Sequence, residues 1–139
     1  MADVFTKRQR SRIMAKVASQ GTKAEVLLRR MIRKERIGFC MNAQDMPGRP
    51  DIVMRKRRRV VFVHGCFWHG HHCRRGARLP KTNAAYWREK MRRNRARDAS
   101  TRRKLRRMGW RVLVIWACQT PIRKRAALMR RLSAFLSEP

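Results

Sequence analysis

The chain has 139 residues, the length of one ordinary domain, and sets 38 Lys and Arg against 8 Asp and Glu for a formal charge of +30. Such a charge repels itself unless a polyanion is near, and nucleic acid is the usual one, because each phosphate neutralised releases condensed counterions. No apolar run approaches the ~18 residues that span a bilayer, and the basic N-terminus lacks the apolar core of a signal peptide, so neither a membrane nor a secreted protein is expected and the cytoplasm is.

In chain order, residues 6–18 read as a basic helix with Ile13, Met14 and Val17 near helical spacing, interrupted at Gly21. A second helix runs from Thr22 to about Arg36 and stops at Gly38. "MPGRPDIVMRKRRRVVFVHG" reads as a hairpin: a strand from about Asp51 to Met54, a basic turn, and a strand from Val60 to Val63. A loop follows that holds every histidine of the chain. Residues 82–109 meet no helix breaker until Gly109 and form one long arginine-studded helix. Val112 to Trp116 is a second apolar strand, too hydrophobic on both faces for an exposed edge. Residues 121–136 close the chain as a helix that buries Leu128, Leu132, Phe135 and Leu136. The expected fold is a single α/β domain over residues 1–139, with a small central sheet flanked by helices.

Four cysteines in a reducing compartment suit metal better than disulfides. Cys66, His71 and Cys73 form a C-x4-H-x-C cluster, and the later strand delivers Cys118 as a fourth ligand for a structural zinc. His72 competes with His71 for that place, and Cys40 reads as a small buried hydrophobe. With so few acids, Asp51 at the start of a strand invites a role as ligand of a divalent cation, although Pro-Asp is also a common turn dipeptide. His64 and His69 remain as acid and base candidates, or as alternative zinc ligands or phosphate-binding imidazoles. Glu25 completes a capping box with Thr22. Phe67 and Trp68 lie among polar groups and suit base stacking, with Met14 and Trp87 in similar parts, although Trp87 reads equally well as core; Trp110 and Trp116 read as core.

Together, "MPGRPDIV", "VVFVHGCFWHGHHC", "YWREKMRRNRARD" and "GWRVLVIWAC" resemble the very-short-patch repair (Vsr) mismatch endonucleases of bacteria, from the N-terminal helix to about Cys118. The resemblance implies a restriction-endonuclease-like core of the PD-(D/E)xK type. It also implies an enzyme that nicks one strand 5′ to the thymine of a T·G mismatch, the product of 5-methylcytosine deamination. By the same resemblance, Asp51 and the Val63 carbonyl hold magnesium, His69 activates water, His64 holds or protonates near the scissile phosphate, and Glu25 supports them. Cys66, His71, Cys73 and Cys118 hold zinc. Phe67, Trp68 and Trp87 wedge into the stack from the major groove and Met14 from the minor groove, residues 1–20 embrace the DNA, and Lys90 and Asn94 face base edges. The implied partners are duplex DNA with a T·G mismatch and mismatch-repair and nick-processing proteins. A monomer in the bacterial cytoplasm, associated with the nucleoid, is the implied form.

Val63 offers only its backbone where the wider nuclease superfamily carries a second acid, and "RKRRR" at 55–59 and "RRNRAR" at 92–97 exceed what the fold needs. Two other functions therefore stand beside the mismatch nickase: a zinc-stapled nucleic-acid-binding protein without catalysis, and a less specific magnesium-dependent nuclease.

Overall fold

The computed structural model describes residues 23–137 together with Arg8. The helix expected over 6–18, the arm over 1–20 with Met14, and Thr22 of the capping box lie outside the described residues. The described elements are α1 (Lys23–Lys34), β1 (Cys40–Met41), β2 (Ile52–Met54), β3 (Arg59–His64), the short α2 (Arg74–Ala77), α3 (Ala84–Arg107), β4 (Arg111–Trp116) and α4 (Arg125–Ser137).

The four strands form one mixed sheet in the order β1-β2-β3-β4. The hairpin is as read: β2 and β3 pair antiparallel with Ile52 opposite Val61, and the basic turn joins them. β3 and β4 pair parallel over six positions, from Arg59 opposite Arg111 to His64 opposite Trp116. A parallel pair needs a long crossover, and here the histidine loop, α2 and α3 supply it.

Alternation along the strands divides the core. Ile52, Met54, Val61, Leu113 and Ile115 pack with Leu28, Met31 and Ile32 of α1 and with Leu128, Leu132, Phe135 and Leu136 of α4. Val53, Val60 and Phe62 turn the other way, against Leu105 of α3 and the Ala43 to Met46 loop. The sheet is therefore covered by helices on both faces, which is why β3 is buried along almost its whole length.

β4 corrects one expectation. It lies at the edge of the sheet, with no further strand beside it among the described residues. Its apolar character comes from helices over both faces, whereas an edge is a line of backbone groups, and the two are independent. A second correction concerns Cys40, which is exposed because it sits on the outermost strand, a two-residue β1 too short to read from sequence. The closing helix also starts later than expected: Ile122–Lys124 form a 3-10 turn before α4 proper. Trp110 is half-buried against the core as expected, whereas Trp116 is half-buried against the rings of His64, His69 and His71.

α3 runs 24 residues without Gly or Pro. It ends where Gly109 adopts φ +88° and the Trp110 N–H reaches the Leu105 carbonyl at 3.0 Å. In the loop before Asp51, Gly48 at φ +73° lies so close to the Thr101 side chain that a Cβ there would collide with it. That close approach seats the loop against α3.

Candidate active site and metal centre

Three groups of side chains converge where β3 ends and β2 begins. The first is a carboxyl pair. Asp51 precedes β2, and its Oδ2 accepts a hydrogen bond from the Val63 N–H at 2.7 Å. Its other neighbour is Glu25, buried in the first turn of α1. Burial and the hydrogen bond to Glu25 push the Asp51 carboxyl up from 3.8 to about 8. Two carboxyls in contact cannot both ionise in a buried place unless a cation joins them. That pair of carboxyl groups fits a hard divalent ion such as magnesium. Glu25 thus points at Asp51, a placement the capping-box reading did not contain.

The second group is His64, His69 and Asp98. His69 Nδ1 lies 2.7 Å from Asp98 Oδ2 on α3. Burial works to raise the Asp98 carboxyl, but the hydrogen bond and charge of His69 outweigh it and leave the group below its ordinary value. An ionised carboxylate only accepts, so His69 donates from Nδ1–H and turns Nε2 away from Asp98. His64, at the end of β3, is pushed down to about 3, first by burial and then by the charge of His69, and stays neutral. Its Nδ1 is buried without a hydrogen-bond partner among the described residues.

These three side chains can bring donor atoms within 4.8 Å of one another, which raises the question of a metal. Ring geometry answers it. His64 and His69 stack at 3.8 Å with planes 1° apart. Parallel stacked rings aim their lone pairs side by side, and an ion cannot lie in both ring planes. The arrangement can pass protons more readily than it can share an ion.

The third group is Cys66, His71, Cys73 and Cys118, whose donor atoms also lie within 4.8 Å of one another. Cys118 arrives on the 3-10 turn directly after β4, and its Sγ sits 3.6 Å from His71 Nδ1. The His71 ring is held flat against Trp116, centroids 4.0 Å apart. His72 is exposed and stands outside the set, so the competition left open by spacing goes to His71. Burial and the neighbouring thiols push the Cys66 thiol up to about 12. Three sulfurs and one imidazole brought together in this way fit the tetrahedral preference of zinc.

Around these groups lies an aromatic cluster. Phe67 is 5.0 Å from Trp68 and 5.5 Å from Trp87 between ring centroids. Phe67 and Trp68 are half-buried, whereas Trp87 is buried on α3. Asn94, two turns along the same helix face, is buried and donates from Nδ2 to the Trp68 carbonyl at 2.7 Å, while its Oδ1 accepts from Arg97. Both ends of its amide are thus engaged within the protein. Lys90 lies between Trp87 and Asn94, half-buried. A cleft of about 630 Å³ opens over His69 and Asp98, with Arg88, Arg95 and Arg102 among its walls.

The sequence readings named every member of these groups except Asp98. Its signal was there, one of two acids in an arginine-rich helix, but 29 residues separate it from His69 and only folding brings them together.

Residues 2–75 match the family described as DNA mismatch endonuclease Vsr. The chain belongs to that family. Among its relatives, the DNA mismatch endonuclease Vsr of Escherichia coli K12 is 37% identical over 98% of this chain and 88% of its own length. The type II nicking enzyme V.NmeAIP of Neisseria meningitidis is 38% identical over 99% of this chain and 96% of its own. V.XorIIP of Xanthomonas oryzae, also named a type II nicking enzyme, is 44% identical over 86% and 87%. The α/β sheet, the histidine and carboxyl groups and the Cys/His cluster are thus those of a Vsr-family chain. No helix among the described residues is long and apolar enough to cross a membrane.

Proposed function

We propose that this protein is a strand-specific DNA endonuclease that nicks 5′ to the thymine of a T·G mismatch in very-short-patch repair, on a restriction-endonuclease-like core. The observation that carries the proposal is the hydrogen-bonded His69–Asp98 pair beside half-buried Asp51 and buried Glu25, a base next to a cation site. Asp51, with Glu25 behind it and the Val63 carbonyl beside it, holds magnesium, which supplies positive charge against the charge that builds on the phosphate. His69 takes a proton from water at Nε2, and Asp98 steadies the imidazolium that results. His64, neutral and stacked on His69, holds the phosphate as a hydrogen-bond donor; a group pushed down to about 3 is a poor proton source. Arg88, Arg95 and Arg102 draw the strand into the cleft.

Zinc bound by Cys66, His71, Cys73 and Cys118 joins the loop to β4 and so fixes the angle of the aromatic wedge. A T·G wobble stacks less well than a normal pair, so inserting Phe67, Trp68 and Trp87 there costs less and deformability becomes specificity. Residues 1–20, with Met14, clasp the other groove, Lys90 faces base edges, and Asn94 does so by giving up its Trp68 bond. The chain acts as one domain and as a monomer, since one mismatch has no two-fold symmetry to match. Its setting is the nucleoid of a bacterial cytoplasm, and mismatch-repair and nick-processing proteins take over the nick.

The test is nicking of end-labelled duplexes that differ only by T·G against C·G at one site, with magnesium and then with EDTA. A magnesium-dependent nick confined to the T·G duplex is expected. Cutting of both duplexes would favour the less specific nuclease. Binding without cutting would leave a zinc-stapled nucleic-acid-binding protein.

A further inference from the structure

None of the side chains assigned to the reaction so far, Asp51, Glu25, His64, His69 and Asp98, carries a fixed positive charge. His69 has to be neutral to take a proton, and His64 is held neutral by burial and by the charge of His69. A phosphate under attack grows more negative, so a cation of the chain itself is wanted beside it. Among the described residues, the cations that line the cleft over His69 and Asp98 are Arg88, Arg95 and Arg102.

These three follow one another on α3 at intervals of seven residues, just under two helical turns, so they share one face of the helix. Their surroundings differ. Arg88 is exposed and precedes Asp98 by about 15 Å along the helix axis. Arg95 is exposed too, and its Nη1 lies 3.4 Å from the Gly70 carbonyl, so close to Gly70 that a Cβ there would collide with it. That guanidinium braces the histidine loop. Arg102 comes one turn after Asp98 on the same face and is half-buried. The spacing suits an Asp98–Arg102 ion pair, yet Asp98 bonds His69 at 2.7 Å, and Arg102 forms no ion pair among the described residues. After burial and the charge of His69, the charge of Arg102 also works to hold His64 down, so the guanidinium stands within reach of the histidine pair. A half-buried guanidinium without a counter-charge has lost hydration that nothing in the protein replaces. An arriving phosphate replaces it.

We propose that Arg102 bonds a non-bridging oxygen of the scissile phosphate and is a further catalytic residue of the nicking reaction. The inference rests on the reading that this chain nicks DNA. Water attacks phosphorus while His69 takes its proton, the P–O3′ bond breaks, and the 3′-oxygen takes a proton from solvent. Charge builds on the non-bridging oxygens as this happens. A guanidinium stays protonated throughout and offers a fork of N–H donors, so its bonds to those oxygens are stronger in the transition state than in the ground state. Arg88, exposed and farther along the helix, serves attraction to phosphate in general.

The test is single-turnover nicking by the zinc-loaded full chain, in excess over the duplex that the parent nicks. Arg102→Ala should lower the rate constant by about 10²–10³-fold and leave the Kd for that duplex within about threefold. Arg103→Ala removes the same charge one residue along, from an exposed side chain, and should leave the rate constant unchanged. Methylguanidinium, at concentrations that do not unfold the chain, should restore part of the Arg102→Ala rate and none of it should be gained by the parent. If Arg102→Ala does not fold, Arg102→Met keeps an apolar stem in the cleft and takes its place. A rate constant close to the parent's, a loss confined to Kd, or a loss that Arg103→Ala reproduces would overturn the inference and leave the nicking reading intact. A rate loss that comes with lost zinc or a lower thermal midpoint, and that methylguanidinium does not restore, would mark a structural role and overturn it as well. A parent that nicks no duplex would sink both.

Discussion

Asp51 carries two opposed requirements. In the unfolded chain it ionises near 3.8, whereas in the fold it keeps its proton up to about 8. The folded form therefore binds more protons, and the stability it contributes at low pH is lost as pH rises from about 4 to about 8. Asp51→Asn should remove that loss. Without divalent cations its thermal midpoint should exceed the parent's at pH 8 and match it at pH 4, while nicking is abolished. His64 slopes the other way: its depressed ionisation gives stability that is present above about 6.5 and lost as pH falls toward about 3. The comparison between variant and parent cancels that contribution. For Asp98→Asn, the amide can offer its N–H to His69 and stabilise the wrong tautomer. The expected loss is about 10²–10⁴ in kcat with the Kd for DNA unchanged, read by single-turnover nicking and by binding titration. The asparagine test probes a residue that spacing could not find, because a pair 29 positions apart leaves no local pattern.

Among the elements, β4 matters most to the site, because it brings Cys118 from the far side of the crossover to the loop that holds Cys66, His71 and Cys73. Zinc needs ionised thiols, and burial holds the Cys66 thiol high, so the affinity should fall steeply as pH falls. Cys118→Ser should lower both zinc content and thermal midpoint, whereas His72→Ala should leave zinc content unchanged; metal analysis of the purified variants checks both. α3 carries Trp87, Asn94 and Asp98 into the site and Leu105 into the core. Leu105 is fully buried, so Leu105→Ala should cost about 2–5 kcal/mol in denaturant unfolding. The hairpin, α3 and β4 were legible because long unbroken propensity and apolar runs are local properties. The position of β4 was not, since an apolar run records covered faces and says nothing of which backbone edge is paired.

For the molecule as a whole, charge is the governing quantity. With +30 on 139 residues, binding to DNA should weaken linearly in log affinity against log salt, with a slope of about −0.9 for each phosphate contacted. The Trp68→Ala variant should keep that slope but lose about 1–3 kcal/mol of preference for T·G over matched duplex, measured by competition. Such a split would separate attraction to phosphate, which charge alone supplies, from recognition, which needs the wedge. The amino-acid sequence by itself pointed to a polyanion partner, the α/β order of elements, and the residue types of the Cys/His cluster and the histidine group, because composition, periodicity and clustering within the loop 64–73 are properties of neighbours along the chain. Folding alone decided that Asp98 meets His69 and that the arginine turn stands at the opposite end of the sheet from the site. Each of these depends on which segments the buried sheet brings side by side, and burying apolar faces of α1, α3 and α4 sets that across separations that no local pattern spans.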